Sequence, residues 1–474
     1  MSMLLTGLFA LNAILGATPA PAELKAVRDW AEAVHSDASP ALGTFSLGEK
    51  SSQSLLKQWK APKSKTVTIR SLSDGISSDF KVDASYLREY KDPESGLNFS
   101  YRLNVYEGFP VVEWTISLKN EGTRDTPIIS DLAAIDTVLD LPGDVTLFHN
   151  KGDNCTADSY APLEDALDPG KPLHIANTGG RPTQTAFPYF NLANVDGGVL
   201  YALAWPGQWF SDFERLEKGG VRLRGGQENV HLVLHPGEEI RGPRIVLLFY
   251  KGDRLRAQNL WRAWMLAHNT PRPGGQLPPS PELAACSSHQ FGEMIHADTA
   301  SQKFFIDKYL ERGMKLDYWW MDAGWYKQTE GWPQTGTWEV DEARFPGGLR
   351  PISDHAHAKG VKTIVWFEPE RVAPKTWLAD EQPEWISGGK KGGLLDLGNP
   401  EARTWLTGHV DDLITSQGID LYRQDFNMDP LDAWRADEPK DRQGMREIRH
   451  VEGYLAYWDA LRAKHPDMLI DSCA

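Results

Sequence analysis

Between about residues 40 and 255 apolar and polar residues alternate in short runs. The stretches 66–70, 99–105, 111–118, 199–205, 221–224, 230–234 and 245–250 place apolar side chains at every second position, with Gly, Asn, Asp and Pro punctuating the intervals. A period of two sends one set of side chains to one face of an extended chain. The runs therefore predict half-buried antiparallel strands packed as two sheets face to face. A helical stretch over 255–268 leads into Asn269-Thr270-Pro271-Arg272-Pro273-Gly274-Gly275, whose Pro and Gly density marks a domain edge.

Past that edge the period changes. Strands are predicted over 283–289, 317–321, 361–367, 419–424 and 468–473, with helices over 301–312, 348–359, 400–416 and 445–464. The strands are continuous apolar runs, as parallel strands buried on both faces must be. A doubly wound sheet and a (β/α)8 TIM barrel both fit this alternation. No Gly-rich phosphate-binding turn follows the first strand, which favours the barrel. Eight βα units need ~250 residues, whereas about 190 lie between Glu282 and Ala474. The expected class is thus multidomain β plus α/β, with a sandwich and its helical linker over 23–277. An incomplete barrel of about five βα units follows over 278–474.

Composition narrows the partners. A formal net charge of -15 repels nucleic acid and anionic membranes, which excludes both as binding classes. The 18 Trp hint at carbohydrate, because aromatic faces stack on sugar rings, although large cores also use Trp. Three scattered cysteines, Cys155, Cys286 and Cys473, make neither a disulfide framework nor a zinc site. Residues 1–22 read as a signal peptide, an apolar stretch ending in Ala20-Pro21-Ala22, though no Lys or Arg precedes Lys25. That reading places the protein in the periplasm or outside the cell; without it, in the cytoplasm. No segment approaches the ~18 consecutive apolar residues of a membrane-spanning helix.

The chemistry gathers at strand ends. The second predicted strand ends Trp320-Met321-Asp322-Ala323-Gly324-Trp325, and the third Trp366-Phe367-Glu368-Pro369-Glu370-Arg371. The fourth ends Arg423-Gln424-Asp425-Phe426-Asn427, and the fifth Asp471-Ser472-Cys473. Barrel enzymes draw their catalytic groups from the C-terminal strand ends. One acid there reads as a helix cap or loop ion pair, but four successive strands with interleaved aromatics suit cleavage of a glycosidic bond. A metal site is the rival use of clustered acids. His355 and His357 lie mid-helix and read as solvated, whereas His289 closes the first strand and reads first as a satisfied, hydrogen-bonded residue, with lining the pocket as the second reading.

These residues resemble glycoside hydrolase family 36, the bacterial α-galactosidases. The resemblance rests on Trp-x-Asp-x-Gly-Trp at 320–325, Trp-Phe-Glu-Pro-Glu at 366–370, Leu-Asp-Leu-Gly-Asn-Pro at 395–400, Asp-Phe-Asn at 425–427 and Cys473-Ala474. Upstream, Asn177-Thr178-Gly179-Gly180-Arg181 and Trp205-Pro206-Gly207-Gln208-Trp209 resemble that family's N-terminal β-supersandwich. The resemblance implies a retaining exo-hydrolase of terminal α-linked galactosyl units that needs no metal or organic cofactor. It maps the nucleophile onto Asp425 and places Asp322, Trp325, Trp366, Arg423, Asn427 and Cys473 in the substrate pocket. For Glu368 and Glu370, pairing with Arg371 or a neighbour is the first reading. Family members often form tetramers, so a homo-oligomer is implied as well.

Three departures from the family stand out. Asp322-Ala323 replaces two adjacent aspartates, and Arg423-Gln424-Asp425 replaces Lys-Trp-Asp; Arg grips vicinal oxygens differently from Lys. The family's acid/base aspartate lies past Cys473, so that residue is expected to be missing from the chain and an aryl α-galactoside to be cleaved poorly by it. The alternatives are an α-N-acetylgalactosaminidase or galactosaminidase, a transglycosylase of the same fold, a metal-dependent barrel hydrolase and a non-catalytic carbohydrate-binding protein.

Overall fold

A computed structural model describes residues 18–35, 41–59, 65–66, 82–278 and 282–473 of the 474-residue chain. Most of the expected signal segment and most of the run 66–70 lie outside the described residues. The chain divides into two compact units. The first holds the described residues through Thr270 together with Trp434–Ile448; the second holds Pro271–Ala433 and the described residues from Arg449. The sequence pattern had placed the edge at 277/278 and gave no sign that a segment from within the later half belongs with the first unit.

The first unit is antiparallel. Its largest sheet has nine strands, of which Leu97–Tyr106, Val111–Asn120 and Glu239–Lys251 are the longest contiguous neighbours. In Leu97–Tyr106 burial alternates almost perfectly, so the period of two in the sequence is the inside–outside alternation of a sheet. A four-stranded sheet packs against it. Phe190 and Tyr201 of the large sheet meet Phe213 at ring separations of 5.1 and 6.4 Å, and the Tyr201 hydroxyl lies 3.1 Å from Ser211 Oγ. A third, five-stranded sheet includes the short strand Arg442–Gln443, paired with His231–Leu232. Two sheets were expected and three are present. The extra one is built from strands as short as two residues, which carry no readable period.

The unit also contains the helix Pro21–His35, which lies before the alternating runs. It is anchored by Glu23, which is buried and accepts from Lys251 N at 2.9 Å and from Arg256 Nη2 at 2.7 Å. Among the described residues no helix is long and apolar enough to cross a membrane.

The second unit is a parallel sheet in strict chain order: β1 (Ala284–Cys286), β2 (Tyr318–Met321), β3 (Lys362–Phe367), β4 (Leu421–Gln424) and β5 (Leu469–Ser472). Helices α1 (Thr299–Glu311), α2 (Arg350–His357), α3 (Pro400–Gln417) and α4 (Met445–Lys464) alternate with the strands from β1 onward. Consecutive strands pair throughout, the partial-barrel arrangement that the alternation predicted. Helix starts follow local chemistry. Asp298 and Ser301 form a capping box at α1, and Asn399 followed by Pro400 opens α3. One strand face carries Trp319, Met321, Val365, Phe367 and Tyr422 into a core completed by Ile306, Ile352, Leu406, Val410 and Leu461 from the helices. The other face gathers Tyr318, Trp320, Ile364, Leu421 and Leu469.

Candidate active site

Alternation along the strands decides which side chains share that second face. Parallel register pairs Met321 with Val365, Trp366 with Arg423, and Arg423 with Asp471. Asp322, Trp366, Arg423 and Asp471 therefore form one transverse row, and Asp425 and Cys473 continue the same face two residues further along β4 and β5. This brings together most of the residues singled out from the sequence.

Asp425 is the centre. Its backbone N–H donates to Phe367 O at 2.8 Å, which fixes the end of β4 against β3. Its carboxylate accepts from Trp366 Nε1 at 3.0 Å, Asn427 Nδ2 at 2.9 Å and Phe426 N at 2.8 Å. Burial, and next the Asp425 charge, push the Cys473 thiol up to about 11, so it stays protonated. Every group touching the carboxylate is a donor, an arrangement that suits an anionic nucleophile and fixes its orientation. Asp425 itself is half-buried, so a face remains open.

Arg423 projects beside it. Its guanidinium lies 4.3 Å from the centre of the Trp320 ring and forms an ion pair with Asp471. The Arg423 Nε–H is buried without a partner among the described residues. Stacking and ion pairing together leave the planar fork few orientations. Asp471, the only acid at the end of β5, is engaged by this cation.

Asp322 is half-buried at the end of β2, where it accepts from Ser288 Oγ at 3.1 Å and from Ala323 N at 2.8 Å. Gly324, with φ of 98°, then turns the chain away. Glu293, in the loop after β1, was not anticipated; burial, and next the Asp322 charge, raise its carboxyl above the ordinary range.

Four expectations are corrected. Trp325, expected in the pocket, is fully buried. Its indole donates to Trp366 O at 2.8 Å and packs on Phe367, so it supports the site from behind. Trp366, expected as an apolar wall, is only 2% exposed and acts on the site through its Nε1–H. His289 lies exposed in the one-turn helix Ser288–Phe291, not at a strand end. His355 and His357 face Asp307 and Asp420, at 2.9 and 2.7 Å, where solvation had been expected.

Glu368 and Glu370 serve structure, as first read. Arg371 grips Glu368 through two nitrogens, at 2.7 and 2.5 Å, and Asn427 N donates to Glu368 at 2.5 Å. Burial raises the Glu368 carboxyl above the ordinary range despite Arg371. Glu370 lies 2.9 Å from His450 Nε2 and accepts from Gln424 Nε2 at 3.0 Å.

Residues 295–474 match the family model described as Melibiase. The α-galactosidase Mel36A of Lactobacillus acidophilus is 26% identical over 285 residues, covering 58% of this chain and 38% of the relative. α-Galactosidase 2 of Pediococcus pentosaceus is 23% identical over 401 residues, covering 81% of this chain and 54% of the relative. The family 36 α-galactosidase AgaA of Geobacillus stearothermophilus superposes with a TM-score of 0.73 at 16% identity, over 92% of this chain and 62% of that one. Variants of AgaA have been solved in complex with stachyose and with raffinose. The chain spans less than two thirds of the length of these relatives.

Proposed function

We propose that the chain is a glycoside hydrolase family 36 α-galactosidase-like protein, a retaining exo-glycosidase acting on terminal α-linked galactosyl units, with Asp425 as nucleophile. The observation that carries this reading is the Asp425 carboxylate, held by three donors at a strand end and still half-open. In this reading an Asp425 oxygen bonds to the anomeric carbon as the glycosidic C–O bond breaks. The departing oxygen takes a proton from an acid, and water later cleaves the glycosyl-enzyme ester. Trp366, Asn427 and Phe426 hold the carboxylate against rotation, so its attack needs little reorganisation. Arg423 grips ring hydroxyls, and Asp471 serves as its anchor instead of as the acid. Stachyose and raffinose, the sugars held by variants of AgaA, exemplify the proposed substrates.

The test uses α-glycosyl fluorides with galactosyl, N-acetylgalactosaminyl and glucosyl glycones, because fluoride departs without a proton from an acid. The galactosyl compound is expected to react fastest, and Asp425→Asn to abolish the reaction. Equal rates for all three glycones would remove the galactoside assignment. A rate unchanged by Asp425→Asn would remove the nucleophile.

A further inference from the structure

The first unit carries a cavity that the proposed mechanism does not use. Strand register places Asn191 between Phe148 and Leu200, and Leu200 beside Leu248, so the four form one row across the large sheet. The helix Arg254–Trp264 contributes Ala257, Leu260 and Trp264 to one apolar cluster with Tyr106, Ala202 and Leu248. At the flank of that cluster Phe148, Asn191 and Leu200 line a cavity of about 460 Å³, a volume in the range of small-molecule sites.

Asn191 is the group that points to a ligand. It is 7% exposed, and one end of its amide is engaged by the Tyr250 hydroxyl at 2.9 Å. The other end has no partner among the described residues and opens onto the cavity. A buried amide left half-met carries a desolvation cost that a bound polar group would remove. Two aromatic rings stand beside it. Tyr189, 40% exposed, precedes Asn191 by two residues on the same strand face and meets Trp261 edge-on, with ring centres 5.7 Å apart at 90°. Rings at right angles form a corner that can take the C–H face of a pyranose while its hydroxyls stay free.

Two cations complete the rim. Arg254 and Arg262 of the helix line the same cavity, and neither forms an ion pair among the described residues, in a chain of formal net charge -15. Arg254 opens the helix, where the dipole disfavours a cation, and its guanidinium lies 3.9 Å from the centre of the Phe148 ring. Arg256 in the same turn is matched by Glu23, whereas Arg254 has no such carboxylate. Helix stability therefore does not account for Arg254.

We propose that this cavity is a second, non-catalytic sugar site, seating one pyranose ring of an oligosaccharide in the Tyr189–Trp261 corner. Asn191 reads a ring hydroxyl, and Arg254 and Arg262 hold acceptor oxygens at the rim. The choice of a sugar rests on the glycosidase reading above, but the site does not involve Asp425. Holding a long substrate by one sugar raises the effective concentration of the rest of it.

The experiment is hydroxyl-radical footprinting with and without stachyose, read by mass spectrometry at Tyr189 and Trp261, alongside calorimetric titration. Stachyose should protect both side chains in wild type. Tyr189→Ala should abolish the protection of Trp261 and weaken this binding at least about tenfold. Tyr189→Phe, which keeps the ring, should stay within about threefold of wild type. Arg254→Ala and Arg262→Ala should each weaken binding about threefold or more, and these exposed positions keep the test open if Tyr189→Ala fails to fold. Turnover of an α-galactosyl fluoride should be unchanged in every variant. Protection of the cavity in a chain without glycosidase activity leaves this inference standing and removes the glycosidase reading. Trigalacturonic acid protecting at lower concentration than stachyose makes the occupant an acidic sugar, and the inference stands. Absence of protection by either sugar overturns it, whether or not the fluoride is turned over. It is equally overturned if Tyr189→Ala changes the sedimentation of the sugar-free protein and leaves sugar affinity untouched, since the occupant is then a second copy.

Discussion

Two carboxyls in different units of this protein meet nearly the same chemistry. In the first unit, Glu447 accepts from Trp205 Nε1 at 2.7 Å and Gln208 N at 2.8 Å. In the second, Asp425 accepts from an indole N–H, a backbone N–H and an amide. The donor sets are alike, but the surroundings are not. Glu447 is only 2% exposed, and burial raises its carboxyl to about 7. Asp425 keeps an open face at the end of a strand. Donors alone therefore do not make a catalytic carboxylate; a sealed carboxyl with the same partners is a structural peg. Reactivity requires the donors and an approach for the substrate together.

The comparison can be broken most sharply at Asp425. Asp425→Asn should lower the rate with an α-galactosyl fluoride by at least about 10⁴-fold, with a thermal midpoint close to wild type. Glu447→Ala should do the reverse. Two donors, Trp205 Nε1 and Gln208 N, would be left unmet in the core, and the first unit should lose about 3 kcal/mol in a denaturant titration.

Glu447 also predicts a pH dependence. Its folded-state value lies above the ordinary 4.5, so its contribution to stability is full below about 4.5 and is lost as pH rises through about 7. The loss should reach about 3 kcal/mol on the alkaline side, and Glu447→Gln should remove the slope.

Trp366→Phe keeps the ring but deletes the indole donor. It should lower turnover by about 10–100-fold with little change in KM, since the donor orients the nucleophile without holding the sugar. The smallest effect concerns Cys473. Half-buried and raised to about 11, its thiol should alkylate far more slowly at pH 8 than exposed Cys155, as read by mass spectrometry of the modified peptides.

Much of the second unit was legible because its sequence obeys simple periods. Continuous apolar runs marked β2 to β5, caps and Pro marked the starts of α1 and α3, and an acid closed each of β2, β4 and β5. What alternation along a strand could not convey was depth. Trp325 and Trp366 read equally well as pocket walls, yet packing against Tyr326, Trp338 and Phe367 buries the first, and the second acts on the site through its N–H. Glu293 was invisible for another reason, since its left-handed backbone is one that no residue type announces. Short strands such as Arg442–Gln443 carry no period, so the segment Trp434–Ile448 gave no hint that it joins the first unit.

The central claim is that Asp425 forms a covalent bond to the sugar. Incubation with 5-fluoro-α-galactosyl fluoride, which slows hydrolysis of the glycosyl-enzyme ester, followed by peptide mapping, tests it directly. The account predicts one glycosyl adduct, on the peptide bearing Asp425, that disappears in Asp425→Asn. An adduct on Asp322, Glu293 or Asp471, or turnover of an α-galactoside with no adduct and no effect of Asp425→Asn, would contradict it.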